Sequence, residues 1–286
     1  MIAITTPTGN IGSKILNRFL ENKSRAARLL ARNPAKLPPE AASCFEIVQG
    51  SMDDPAALRS LMDGADTLFW CQPDAPAAPD YVGAYEDLAR LGAEAIHDAG
   101  VSRVVAVSAA GEPGDIPAGP ITALHRMEEI LAATGVAARF LRCGSFFENL
   151  LWQWDQILEE GSFTYPAPGD VPGPQVATAD IAGVAADLLT TPDWTGQESI
   201  PLLGPKDLSF DEMAAILSEA LRRTVRYQQS PTSDHIAAMQ RLGQSESAAQ
   251  GLVEMFTFLA ERYSAPRTAN RELTPTSFDQ WLQRDL

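Results

Sequence analysis

The residues best suited to chemistry come directly after the first apolar run of the chain. They read Thr6-Pro7-Thr8-Gly9-Asn10-Ile11-Gly12 and lead into the helical stretch Ser13-Lys14-Ile15-Leu16. Glycines at a strand-to-helix turn let the backbone approach a pyrophosphate, whose charge then rests on free N–H groups at the helix N-terminus. Gly9 and Gly12 fit those roles, and Thr6, Thr8, Asn10 and Ile11 complete the cradle. Thr6 replaces the first glycine of the usual pattern. About twenty residues past such glycines, a site selective for NAD carries an acidic residue for the ribose hydroxyls. Here that place is taken by Arg32, with Lys36 one turn further on. A guanidinium there pairs in bidentate fashion with a 2′-phosphate, so the expected cofactor is NADP(H).

Such a turn works only at the edge of a sheet. Up to about residue 142, short β-rich runs alternate with longer helical patterns, as in a parallel sheet covered on both faces. Strands are expected at Ile2 to Thr5, Ala26 to Ala31, Phe45 to Val48, Thr67 to Cys71, Arg103 to Val107 and Ala138 to Leu141. Helices are expected at about Ile11 to Glu21, Pro55 to Met62, Tyr81 to Ala99 and Pro120 to Thr134. Ligands in open α/β sheets bind outside the carboxyl ends of the strands. The residues there are Gly50 and Ser51, then Cys71, Gln72 and Pro73, then Ser108, and finally Cys143, Gly144 and Phe146, which together can line one cofactor trough. Beyond residue 145 a helix near Glu148 to Glu160 precedes the Pro/Gly-rich stretch 165–174, which reads as a loop. A helix opened by Thr178 or Asp180, a strand at about Ser199 to Leu203 and a helix from Phe210 to Arg222 follow, the last capped by Ser209 with Glu212 three residues on. The last sixty residues read as helical.

Composition narrows the function classes. The 286 residues are 45% hydrophobic and 21% charged, which suits an enzyme-sized globular chain. The formal net charge of −15 opposes nucleic acid and anionic membranes as partners. No long apolar span or signal-peptide pattern is present, so a cytoplasmic location is expected. Cys44, Cys71 and Cys143 are far apart and lack metal-ligand spacing, so reduced thiols and no metal are expected.

Taken as a set, several stretches resemble the NmrA-like branch of the atypical short-chain dehydrogenases/reductases. They are Thr8-Gly9-Asn10-Ile11-Gly12, Ala31-Arg32-Asn33-Pro34-Ala35-Lys36, Val107-Ser108-Ala109, Leu141 to Asn149, Thr178-Ala179-Asp180-Ile181-Ala182 and Leu202-Leu203-Gly204-Pro205. The resemblance spans nearly the whole chain. It implies a Rossmann-like, doubly wound parallel sheet binding NADP(H), with a small, mostly helical C-terminal lobe over a substrate cleft. On this reading residues 1–146, rejoined by 175–205, bind the cofactor, and residues 147–174 and 206–286 form the substrate lobe. Many relatives carry a Tyr-x-x-x-Lys pair for proton donation. Alignment through Glu128 and Gly135 puts Pro120 and Leu124 at those places, and the chain's lysines are only Lys14, Lys23, Lys36 and Lys206. Ser108, where the superfamily often has a hydrogen-bonding serine, and His125, beside the missing lysine, are the polar candidates for catalysis.

Aromatic residues gather after the sixth strand. Phe146, Phe147, Asn149, Trp152 and Tyr165 are the expected substrate contacts, whereas Trp154 and Phe163 read as packing. The expected activity is hydride transfer from NADPH to a small conjugated molecule such as a quinone, which needs little proton assistance. A non-catalytic NADP(H) sensor and an iminium or enone reductase are the alternatives. The oligomeric state is left open by the sequence.

Overall fold

Short apolar runs that are buried on both faces favour parallel strands with helices above and below. The computed structural model describes residues 1–22, 26–191, 193–263 and 271–285. β1 (Ile2–Ile4) passes through the glycine turn into α1 (Gly12–Asn22), β2 (Ala27–Ala31), the short α2 (Ala41–Cys44) and β3 (Glu46–Gln49). α3 (Pro55–Met62) then carries the chain back to β4 (Thr67–Trp70), on the other side of β1. From there α4 (Tyr81–Ala99), β5 (Arg103–Ala109), α5 (Pro120–Ala132) and β6 (Ala137–Cys143) extend the sheet outward.

After β6 come β7 (Ser145–Phe146), a 3-10 segment over Phe147–Gln153, α6 (Trp154–Glu160), β8 (Ser162–Tyr165) and β9 (Gly173–Val176). α7 (Thr178–Thr190) returns to the main sheet and delivers β10 (Gln197–Leu202) beside β6. β11 (Asp207–Leu208), α8 (Phe210–Leu221), β12 (Arg226–Gln229), α9 (Thr232–Arg241), α10 (Glu246–Glu261) and α11 (Phe278–Asp285) complete the described chain. The parallel seven-stranded sheet has the order β10-β6-β5-β4-β1-β2-β3. Its winding direction reverses between β1 and β4, which opens a crevice over their carboxyl ends.

Local chemistry sets the helix ends. The Asp80 carboxylate accepts from the Gly83 N–H at 3.0 Å to start α4, and Gly100 ends it in the left-handed region at φ 67°. Ser209 and Glu212 form the expected reciprocal cap on α8. One face of the sheet packs Ile4, Leu29, Val105, Val107 and Leu141 against α1 and α7, and the other packs Leu68, Trp70, Ala106 and Phe140 against α3, α4 and α5. A further core joins Phe147, Phe163, Leu217, Phe278 and Trp281.

Three sequence expectations are corrected. The stretch 165–174 is not wholly a loop, because Tyr165 ends β8 and Gly173 begins β9, which pairs with both β7 and β11. The helix expected near Glu148 to Glu160 begins as a seven-residue 3-10 segment before α6 takes over. β12 lies within the stretch read as helical and pairs in parallel with β8, a non-local contact that local composition does not encode. Among the described residues no helix is long and apolar enough to cross a membrane.

Candidate active site

The turn after β1 is fastened to the exit of β4 by hydroxyl groups. Thr5 Oγ1 donates to the Phe69 carbonyl at 3.1 Å and accepts from the Cys71 N–H at 3.1 Å. Thr6 Oγ1 donates to the Cys71 carbonyl at 3.4 Å, and the Thr6 carbonyl accepts from the Gly9 N–H at 3.1 Å. The residue that replaces the first glycine is therefore a latch, and its hydroxyl is already engaged. A Cβ on Gly12 would lie 1.9 Å from the Thr6 carbonyl oxygen, so this close approach requires glycine. A Cβ on Gly9 would lie 3.5 Å from that oxygen, an ordinary contact. Thr8, Gly9 and Asn10 face solvent, and Ile11 is buried beneath them. No backbone acceptor for the N–H groups of Asn10, Ile11 or Gly12 is present among the described residues. The start of α1 therefore presents free donors at the crevice.

At the neighbouring exit, Arg32 follows β2 directly. Asn33 caps the 3-10 turn Pro34–Lys36 by accepting from the Ala35 N–H at 3.1 Å, and Lys36 ends that turn. Both cations are exposed, and neither has an ion-pair partner among the described residues. Gly50 is held against α3, where a Cβ would meet the Ala57 side chain at 2.4 Å, and Ser51 beside it is half-buried. After β4, Pro73 is exposed, while the buried Gln72 donates through Nε2 to the Tyr85 carbonyl at 3.0 Å and leaves Oε1 without a partner among the described residues.

Ser108 lies near the end of β5, is 2% exposed, and its Oγ has no hydrogen-bond partner among the described residues. A buried hydroxyl left unsatisfied costs free energy, which a bound group able to accept or donate would recover. His125 differs from expectation. Its Nε2 lies 3.1 Å from the Ala109 carbonyl oxygen, which can only accept, so Nε2 carries the proton and gives it to the backbone. His125 thereby ties α5 to the end of β5 rather than presenting that proton to a ligand. Pro120 opens α5, and Leu124 is half-buried against Tyr81 and Tyr85. Tyr81 Oη donates to Asp74 at 2.9 Å and lies 3.4 Å from Tyr85 Oη, and burial pushes both phenols up, which keeps them protonated.

Several expected contacts are placed in packing roles. Cys143 is buried, and its thiol donates to the Leu141 carbonyl at 3.3 Å. The Gly144 N–H donates to Leu202 at 2.9 Å, and a Cβ there would meet the Pro174 carbonyl at 2.7 Å, so this glycine admits β9. Phe147 is 1% exposed and packs on Phe278 and Trp281 with centroids at 5.1 and 5.8 Å. Tyr165 stacks on Phe210 at 4.9 Å, and burial raises its phenol to about 12. Phe146 and Asn149 remain half-buried at the crevice end of β6, whereas Trp152 is 82% exposed. Sequence reasoning missed Glu148, a buried carboxylate that accepts from the N–H and hydroxyl of Thr178 and lies 3.6 Å from Lys14 Nζ. Lys14 Nζ also donates to the Asn10 carbonyl at 3.3 Å, so this cluster braces the glycine turn against α7. The only local signal was a lone acidic residue between aromatic ones.

Neither of two cavities near the carboxyl ends of the sheet lies over the glycine turn. One of about 40 Å³, bordered by Ser145, Pro174 and Phe210, is too small for an aromatic ring. Another of about 320 Å³ lies beyond β5 and β6, where Glu128 and Glu112 already pair with Arg142. No group of residues suited to a metal ion is found among the described residues. The thiols differ in reactivity, because burial raises Cys71 to about 11 while Cys44 is exposed. A raised thiol stays protonated until the pH approaches that value, and the thiolate is the nucleophile. Iodoacetamide at pH 8 is accordingly expected to label Cys44 and to spare Cys71 and Cys143. Peptide mass spectrometry reads the result, and rapid labelling of Cys71 would contradict it.

A sequence model of a protein family described as NAD(P)H-binding matches residues 7–192. NAD(P)H azoreductase of Xenophilus azovorans is 31% identical over 265 residues, covering 93% of this chain and 89% of the relative. Quinone oxidoreductase 2 of Escherichia coli strain K12 is 28% identical over 256 residues, covering 89% and 86%. The crystal structure of an Escherichia coli NADPH-dependent quinone oxidoreductase complexed with NADPH superposes with a TM-score of 0.82 at 26% identity, covering 99% of each chain.

Proposed function

Because the chain belongs to the NAD(P)H-binding, NmrA-like branch of the atypical short-chain dehydrogenases/reductases, we propose that it is an NADPH-dependent reductase of small conjugated acceptors, quinones foremost. The observation that carries this reading is the open turn at Gly9, with free N–H donors, beside Arg32 and Lys36. A diphosphate fits the turn, and a 2′-phosphate fits the two cations. The buried Ser108 hydroxyl, lacking a partner, is suited to hydrogen-bond a group lying over the end of β5. The reduced nicotinamide, when bound, supplies hydride.

The acceptor class follows from what α5 lacks. Pro120 and Leu124 carry no proton to give, and the Nε2 proton of His125 is bound to Ala109. An acceptor that takes hydride without prior protonation suits such a site, and water supplies the proton that completes a hydroquinone. The names of the azoreductase and quinone oxidoreductase relatives support electron-poor, conjugated acceptors. Phe146 and Asn149 place the acceptor, so their alanine variants are expected to lose about tenfold or more in kcat/KM. His125→Ala is expected to lose less than about tenfold, against about 10²–10⁴-fold for a required general acid. Steady-state kinetics decides between the two, and a thousandfold loss for His125→Ala would overturn this assignment.

The reading is tested by following NADPH oxidation with a panel of quinones, azo dyes and cyclic imines. Quinones are expected to be reduced fastest. Tight NADPH binding without turnover of any panel member would instead support a nucleotide sensor, and selective turnover of the imines would support an iminium reductase.

A further inference from the structure

The 3-10 segment Phe147–Gln153 is seven residues long, whereas such runs seldom exceed three or four. Side chains three positions apart eclipse in this geometry, so the segment has three edges. Phe147 and Leu150 on one edge are buried in the further core with Phe278 and Trp281, and Gln153 continues it by bonding both backbone groups of Thr164. Glu148 heads another edge and holds Thr178. The remaining edge carries Phe146, at its cap, then Asn149 and Trp152. Exposure rises along this edge, from the half-buried Phe146 and Asn149 to Trp152 at 82%. The indole has no ring contact or hydrogen bond among the described residues. Its backbone is nevertheless held at both ends, by Phe147 packed on Phe278 and Trp281 and by the buried Ile157 of α6.

We propose that Trp152 is an acceptor-binding residue, the outer member of a ladder with Phe146 and Asn149 that contacts the distal ring of a multi-ring acceptor. The inference rests on the reductase reading above and adds a size class to it. A rise of about 2 Å per residue sets Trp152 roughly 12 Å along the ladder from Phe146. A single-ring acceptor beside Phe146 does not span that distance, and a fused three-ring acceptor reaches toward it. Covering so large an exposed indole is favourable, and a rigid backbone lowers the entropy lost on contact.

The test compares phenanthrenequinone with para-benzoquinone in Trp152→Ala and Trp152→Phe. Trp152→Ala is expected to raise KM for phenanthrenequinone about tenfold, or about 1.4 kcal/mol, with kcat nearly unchanged, no change for para-benzoquinone and substantial recovery in Trp152→Phe. NADPH affinity by calorimetry should be the same in all three proteins. Hydroxyl-radical footprinting in the presence of NADP⁺ gives a readout independent of turnover, in which phenanthrenequinone should protect Trp152 from oxidation and para-benzoquinone should not. Equal KM shifts for both quinones, absence of protection, or a difference in sedimentation between the parent and Trp152→Ala would each overturn the proposal. Protection of Trp152 without reduction of either quinone would uphold the contact and refute the reductase reading.

Discussion

Gly9→Val is expected to weaken NADPH binding by at least about a hundredfold, or about 2.8 kcal/mol, while the protein still unfolds cooperatively near the parent midpoint. The separation of the two effects follows from the turn. A Cβ at Gly9 meets only ordinary contacts in the protein and projects from an exposed position, so its branched methyls occupy space needed by a diphosphate. Gly12 is the contrasting control. There a Cβ would lie 1.9 Å from the Thr6 carbonyl, so Gly12→Ala is expected to cost about 1–3 kcal/mol of stability through overpacking against backbone. Calorimetry with NADPH and urea unfolding of both variants distinguish the roles. Retained NADPH binding in Gly9→Val would show that the turn is purely structural.

Arg32→Asp is expected to reverse the cofactor preference. The parent should bind NADPH at least about tenfold more tightly than NADH, a difference of about 1.4 kcal/mol. Arg32 and Lys36 stand exposed at the exit of β2 without a carboxylate partner among the described residues, so their charge is available to a 2′-phosphate. Aspartate there both repels that phosphate and accepts from the ribose hydroxyls. Dissociation constants for the two nucleotides, measured at fixed ionic strength, read the switch. Equal affinities in the parent protein would remove Arg32 from the site.

Features written in neighbouring residues were legible before the structure. The reciprocal cap of α8 and the alternation that builds the parallel sheet both depend on residues a few positions apart. Features that depend on distant partners were not. Thr6 read as a missing glycine, and only its bond to Cys71 shows why a hydroxyl stands there. The tie between His125 and Ala109 requires β5 and α5 to be assembled first. After β6 the difficulty is one of period. The stretch from Phe147 reads from its composition as the start of an ordinary helix, whereas its first seven residues form a 3-10 segment that sets Phe147 and Leu150 on a buried edge and Asn149 and Trp152 on another. The pairings of β8 with β12 and of β9 with β7 likewise join segments whose own composition favours loops or helix.

The central claim is that this chain holds NADPH at the Gly9 turn and passes its hydride to a quinone. Anaerobic single-turnover mixing of the preformed NADPH complex with menadione tests it most directly, followed at the absorbance of the reduced nicotinamide. The account predicts a saturable decay with one hydroquinone formed per NADPH lost, and no such decay in Gly9→Val. Persistence of bound NADPH through many minutes of exposure to the quinone would contradict it.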